Sequence, residues 1–391
     1  MTRARAIAVL EKLMAPATVS DFLDALGRRS FDLHGGPDHP RRLLFGDDPK
    51  STLLAGFATH SAQLKCYGVA PQLPPPAARP VTSSDEFSAL IKSFHERDYT
   101  VRIPDVIPLS PRLQEMARAL ETLLYQPVQA AMFWSKAEAK AIIHYDSRDN
   151  IAVQLEGRKR WFISTDQAGL QNNWKQVGEP VPQLPRYRVV DAEPGDLIYI
   201  PRGTPHTVES TSESLHLAIL FVPTTLREAM IAAVDYLSDF ERELREPAFG
   251  EAANTDPGGS LAQRVTDGLA RLLDHCRSEG FIESAMDLRA SRMVSDLPPL
   301  PKPEAAQQVS SDTQVRHSLL AISYLRAGQG ALDFTVPGEH IAIHRGVEQE
   351  LRFIAENAEF RVRDIPGASS DDVRVALVSR LIATGLLQIA G

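Results

Sequence analysis

The chain has 391 residues, with 42 Lys plus Arg against 50 Asp plus Glu and a formal net charge of −8 at pH 7. Hydrophobic residues make up 43% and charged residues 24%, which fits a soluble globular protein with core enough for two or three domains and excludes a disordered or fibrous class. The acidic balance works against a nucleic-acid partner or an anionic membrane surface and makes a cationic partner electrostatically easier.

The opening "MTRARAIAVLEKLMAP" lacks an apolar block of signal-peptide length, because Glu11 and Lys12 interrupt it. No apolar run reaches the roughly 18 residues of a membrane helix. Only Cys66 and Cys276 are present, too few for a disulfide scaffold or a cysteine metal cluster. A cytoplasmic, membrane-free protein is the expectation. "SDFLDALGRRSFDL" then predicts a helix capped by Ser20, with Phe22, Leu23 and Leu26 on one face. A proline-rich loop at 71–84 leads into a second capped helix, "SSDEFSALIKSFHERD".

From about 129 to 222 the pattern turns to short strands: "AAMFWS", "KAIIHYD", "IAVQLEG", "KRWFIS", "YRVVDAEPGDLIYIP", "HTVEST" and "SLHLAILFV". Their spacing predicts an antiparallel sandwich or barrel. Two amphipathic helices follow, at 225–247 and 261–280, joined by "PAFGEAANTDPGG"; they form a helical hairpin or a contact in a homodimer. "SDLPPLPKPEAAQQ" reads as a linker. Beyond it come a strand at "HIAIH", a helix at "VEQELRFIAENA", and a second helix capped by Ser369, carrying Val373, Leu377 and Leu381 and ended by Gly385 before a last strand. That order suggests a small winged-helix module.

Chemistry concentrates in "HYDSRDNIAVQLEGRKRW" (144–161). In an extended strand His144 and Asp146 share a face while Tyr145 points away, so both can reach one metal. With eleven histidines in the chain, an H-x-D triplet alone is weak evidence. It gains weight from "EPGDLIYIPRGTPHTVES", where a Pro-Gly-Asp turn and a strand lead to His206. Two imidazoles and one carboxylate form a facial triad that suits Fe(II) and leaves open positions, whereas a closed structural zinc site wants four protein ligands. Lys159 follows the Glu156-Gly157 turn on a strand expected to run back beside the ligand strand. Buried there, it would need an anion, with a carboxylate the obvious partner.

These motifs, in this order and spacing across residues 20–225, resemble the JmjC and related cupin-type Fe(II)- and 2-oxoglutarate-dependent oxygenases, and within them the ribosomal oxygenases and the asparaginyl hydroxylase of the hypoxia-inducible factor. The resemblance implies an α+β fold: a double-stranded β-helix, or cupin jelly roll, with flanking helices. It implies a catalytic domain over 1–224, a helical and dimerising region over 225–295, a linker over 296–311 and a winged-helix-like domain over 312–391. The resemblance makes His144, Asp146 and His206 the iron ligands, Lys159 the anchor of the distal 2-oxoglutarate carboxylate and Asn150 a polar neighbour of the co-substrate. Ala141 and Ile142 stand where relatives carry a polar helper, so Trp134, Ser135 or His216 would supply that contact.

The activity implied is hydroxylation of a protein or peptide side chain, with 2-oxoglutarate and O₂ converted to succinate and CO₂. The same chemistry on a small natural product or a carrier-bound amino acid, and a cupin that holds metal without turnover, are the alternatives. Read from the residues alone, His216 is more ordinarily a hydrogen-bonded core histidine. Tyr145, Trp134 and Trp161 read as packing aromatics, and Arg148, Arg158 and Arg160 as a solvated face.

Overall fold

The computed structural model describes residues 1–69, 73–170, 182–248, 259–304, 307–328 and 330–390. The expected loops at 71–84 and 247–259 therefore lie partly outside the described residues. Two compact units form, Arg3–Pro223 and Thr224–Gly391.

The first unit opens with helices α1 (Arg3–Met14), α2 (Val19–Ala25), α3 (Pro49–Ala55) and α4 (Phe57–His60), and adds α5 (Ser84–His95) and α6 (Pro111–Leu124). The α2 cap is Thr18, not Ser20: Thr18 and Asp21 make a reciprocal capping box that Ser20 has no acidic partner to complete. Ser83 caps α5.

Among the described residues ten strands make two antiparallel sheets. They are β1 (Phe31–Leu33), β2 (Lys65–Tyr67), β3 (Thr100–Pro104), β4 (Gln129–Ser135), β5 (Asp149–Glu156), β6 (Lys159–Ser164), β7 (Tyr187–Ala192), β8 (Leu197–Ile200), β9 (His206–Ser210) and β10 (Ser214–Phe221). The larger sheet runs β1-β8-β5-β10-β4-β3-β2 and the smaller β7-β6-β9. Ala152, Ile198 and Ile200 of the larger sheet pack against Trp161, Ile163, Val190 and Ala192 of the smaller. This is the expected jelly roll, with its side chains interdigitating between two faces.

Two turns fix the geometry. Gly157 has φ +64°, and a Cβ there would lie 1.9 Å from the Glu213 carbonyl oxygen, so only glycine fits. This turn carries the chain from the larger sheet to the smaller rather than folding β6 back on β5. Gly195, at φ +92°, meets the Gly36 backbone in the same way. Beside it Arg41 is fully buried and donates to the carbonyls of Gly195, Leu13, Ala15 and Leu33. One guanidinium thus ties α1, the segment after it, β1 and the β7–β8 turn together.

In the second unit, the stretch 225–296 has three α-helices among the described residues where two were expected: α7 (Leu226–Ser238), α8 (Gly259–Cys276) and α9 (Phe281–Asp296). Ala232, Ala233, Leu237, Leu272, Phe281 and Ala285 form their shared core. Strands β11 (Gln314–His317), β12 (Tyr324–Ala327), β13 (Ala331–Val336), β14 (Glu339–His344), β15 (Glu359–Arg361) and β16 (Leu387–Ile389) make two three-stranded sheets with α10 (Glu348–Glu356) and α11 (Asp371–Ala383).

The stretch read as a linker is partly core: Leu297 and Leu300 are buried, and Leu300 joins the tail cluster of Phe334, Leu351 and Leu381. Its leucines override its prolines, because two buried apolar side chains fix the backbone. Ser370, not Ser369, stands at the α11 N-cap, since Ser369 spends its amide and hydroxyl on Glu350. Leu377 and Leu381 are buried while Val373 stays exposed, a turn too early to reach the core.

Candidate active site

Residues 140–146, expected as a strand, form isolated bridges to the free edge of β9, Lys140 opposite Glu209 and His144 opposite His206, with a further bond from the Ala141 amide to the Val208 carbonyl at 2.9 Å. The His144 and His206 backbones exchange both hydrogen bonds, at 3.0 and 2.8 Å. The amide of Gly203 donates to the Asp146 carbonyl at 2.8 Å. These bonds hold the ligand segment where a continuous ladder was expected to hold it.

The ligating atoms of His144, Asp146 and His206 all lie within 4.8 Å of one another. Nδ1 of His144 bonds the Ile142 carbonyl at 2.9 Å and Nδ1 of His206 the Thr204 carbonyl at 3.0 Å. A carbonyl only accepts, so each Nδ1 carries the proton and each Nε2 keeps its lone pair for a cation. Burial, with His144 beside it, pushes the His206 imidazole down to about 4, which keeps it neutral and ready to ligate. Asn150 donates to the Asp146 carboxylate at 3.3 Å and thereby steadies the third donor.

The inner face of the larger sheet follows from register. His216 of β10 lies opposite Phe133 of β4 and Gln154 of β5, and Ala218 opposite Ala131 and Ala152. Asn150, Phe133, Ser135 and His216 therefore share the inner face, and Trp134 points the other way. That overturns Trp134 as a co-substrate contact: its indole donates to Glu213 at 2.9 Å and the Lys50 ammonium sits over its ring.

His216 was expected to be a hydrogen-bonded core residue. Instead its ring stacks on Phe133 at 4.8 Å, with Trp161 edge-on at 5.4 Å, and its buried Nδ1 makes no hydrogen bond among the described residues. Burial holds its basicity far down. Phe133 was missed by sequence reasoning, although strand alternation from Ser135 would have placed it.

Lys159 is 3% exposed and donates to Ser135 Oγ at 2.9 Å; no carboxylate pairs with it among the described residues. Burial alone lowers its ammonium to about 7. It was expected beside a strand carrying His144; β6 instead pairs with β9, Ile163 opposite His206 and Lys159 opposite Ser210. The metal donors and Lys159 thus stand at opposite ends of one strand, about 13 Å apart along the backbone, with small Ala131 and Ala218 on the facing sheet. Tyr145 is buried, as its packing role required. Ile142 is 59% exposed, and Arg158 and Arg160 pair with Glu193 and Asp191 outside the barrel.

Residues 107–229, containing all three candidate ligands, match the family model described as "JmjC domain". The chain carries a JmjC domain. It is 24% identical over 297 residues to the Aedes aegypti "Bifunctional lysine-specific demethylase and histidyl-hydroxylase NO66", an alignment covering 69% of the chain and 44% of that relative. Against the Rattus norvegicus "Ribosomal oxygenase 2" it is 29% identical over 138 residues, covering 34% of the chain and 30% of the relative. The chain thus spans less than half the length of either.

The solved structure of YcfD, a ribosomal oxygenase from Escherichia coli in complex with cobalt and 2-oxoglutarate, superposes with a TM-score of 0.57 at 17% identity, covering 95% of this chain and 98% of that one. That likeness shows the fold. Among the described residues no helix is long and apolar enough to cross a membrane.

Proposed function

We propose that this chain is an Fe(II)- and 2-oxoglutarate-dependent oxygenase that hydroxylates a side chain of a protein or peptide. The observation that carries the reading is the juxtaposition inside the jelly roll of two chemically distinct ends: three convergent metal donors, His144, Asp146 and His206, and, four residues along β6 from the position opposite His206, a buried cation, Lys159, whose hydrogen-bond partner among the described residues is a neutral hydroxyl. Two imidazoles and a carboxylate suit Fe(II) and leave coordination positions for a keto acid and O₂. A dicarboxylate supplies the charge that Lys159 lacks.

Bound iron and 2-oxoglutarate would supply the oxidising chemistry, with succinate and CO₂ as products. The protein's share is positioning and exclusion of water. The carbonyls of Ile142 and Thr204 fix which imidazole nitrogen faces the metal. Asn150 holds Asp146, and Lys159 fixes the far end of the co-substrate. Phe133, Trp161 and His216 wall the middle of the cavity with rings, so water is kept from the reacting end. A polypeptide substrate accords with the names of the relatives, a ribosomal oxygenase and a histidyl-hydroxylase, and the net negative charge favours a basic one.

Iron-loaded protein given 2-oxoglutarate and O₂ should form succinate, and His206→Ala should not. Intact-mass measurement of polypeptides captured and treated with the enzyme should show a gain of one oxygen. A small molecule carrying the new oxygen, with polypeptides unchanged, would move the assignment to the second substrate class. Absence of succinate from the wild-type protein would leave a metal-binding cupin without turnover.

A further inference from the structure

Ser135 sits at the Lys159 end of the cavity and its hydroxyl receives two hydrogen bonds, one from Lys159 Nζ at 2.9 Å and one from Thr100 Oγ1 at 3.0 Å. An ammonium can only donate, and a serine oxygen offers two lone pairs, so both are filled. The one remaining polar element of Ser135 is its own proton, which meets no acceptor among the described residues. Ser135 is 1% exposed, and a buried hydroxyl proton with no acceptor is costly. Register puts its side chain on the inner face beside Lys159, so the proton can turn only to what occupies the cavity.

Thr100 makes this direction obligatory. It precedes the β3–β4 ladder by one step, Val101 lying opposite Trp134, which brings its hydroxyl from the neighbouring strand to Ser135. Were Thr100 a pure acceptor, Ser135 would spend its proton on the protein.

Resting on the co-substrate reading above, we infer that Thr100 is a positioning residue. By donating to Ser135 it aims the Ser135 hydroxyl at the distal carboxylate held by Lys159, and so sets the preference for a dicarboxylic over a monocarboxylic keto acid. This also supplies the second co-substrate contact that Ala141 and Ile142 cannot make. Thr100 touches neither metal donor nor co-substrate; it acts through Ser135.

The test is calorimetric binding to the full-length protein loaded with manganese, which needs no turnover. Two ligands are compared: 2-oxoglutarate and 2-oxopentanoate, the five-carbon keto acid lacking the distal carboxylate. Thr100→Val keeps the β-branched shape and removes the hydroxyl. It should weaken 2-oxoglutarate about tenfold and leave 2-oxopentanoate unchanged, while Thr100→Ser binds both as the wild type does. Ser135→Ala should lose a similar factor, and the double variant no more than the larger single loss.

Equal loss of both ligands in Thr100→Val, or no loss of either, would overturn the assignment. Should the wild-type protein itself fail to prefer 2-oxoglutarate over the monoacid, the co-substrate reading falls first and Thr100 with it.

Discussion

Lys159 illustrates how a single buried charge reports on its missing partner. With its ammonium pushed to about 7 by burial and the unfolded side chain titrating near 10.4, the unfolded chain holds more protons between those two values. Stability of the metal-free, ligand-free protein should therefore rise with pH from about 7 to about 10. Below about 7 both states are protonated and the full burial penalty is present. Denaturant midpoints at pH 7 and pH 9 for wild type and Lys159→Met check this: the wild type should gain relative to the variant, which has nothing to titrate there. At pH 7 the Met variant should be at least as stable as the wild type, since an uncompensated charge has been removed. It should nonetheless bind 2-oxoglutarate at least about a hundredfold more weakly, because a charge-assisted pair is lost.

Turns, more than strands, decide where these side chains meet. Gly157→Ala forces a Cβ into the Glu213 carbonyl and should destabilise by more than about 2 kcal/mol. Because β6 begins two residues later, the variant should also lose co-substrate affinity in whatever fraction stays folded; thermal midpoint and calorimetric binding read the two effects separately. Arg41→Met leaves four carbonyls without their donor and should cost about 3 kcal/mol by denaturant titration.

Most barrel strands were legible because "IAVQLEG" and "SLHLAILFV" are apolar runs bounded by turn residues. The ligand segment was misread as a strand because "KAIIHYD" has strand composition. Its backbone does bond the β9 edge at Ser210, Val208 and His206, but the pairing is interrupted and leaves isolated bridges at Lys140 and His144 rather than a continuous strand. The metal donors were legible from spacing. The outward aim of Trp134 was not, since one residue of register decides it. Four strands of the tail, β11 to β13 and β15, went unseen: β11, β12 and β15 are three or four residues long, and β11 and β15 pair across more than forty residues of chain.

At the scale of the molecule, the unit Arg3–Pro223 holds its own core and every candidate ligand. We expect a fragment of those residues to bind manganese as the full chain does. Metal at a hundred times its dissociation constant should stabilise either form by about 2.7 kcal/mol, reversed by chelator; His144→Ala should abolish the shift. Failure of the fragment to show it would mean that the second unit is needed for the site. The formal charge of −8 gives a further expectation, that association with a basic polypeptide substrate slows as ionic strength rises, which stopped-flow mixing at two salt concentrations would show.

On the co-substrate role proposed for Lys159, the four-residue step along β6 from Lys159 to Ile163, level with His206, acts as a molecular ruler whose length comes only in fixed increments. Inserting one residue would turn Lys159 to the outside of the barrel, and inserting two would restore its direction at the expense of about 6.6 Å. A shorter or longer diacid therefore cannot be accommodated by sliding the strand. Selectivity for chain length is set by backbone period, and point substitutions at either end can weaken it but cannot reset it.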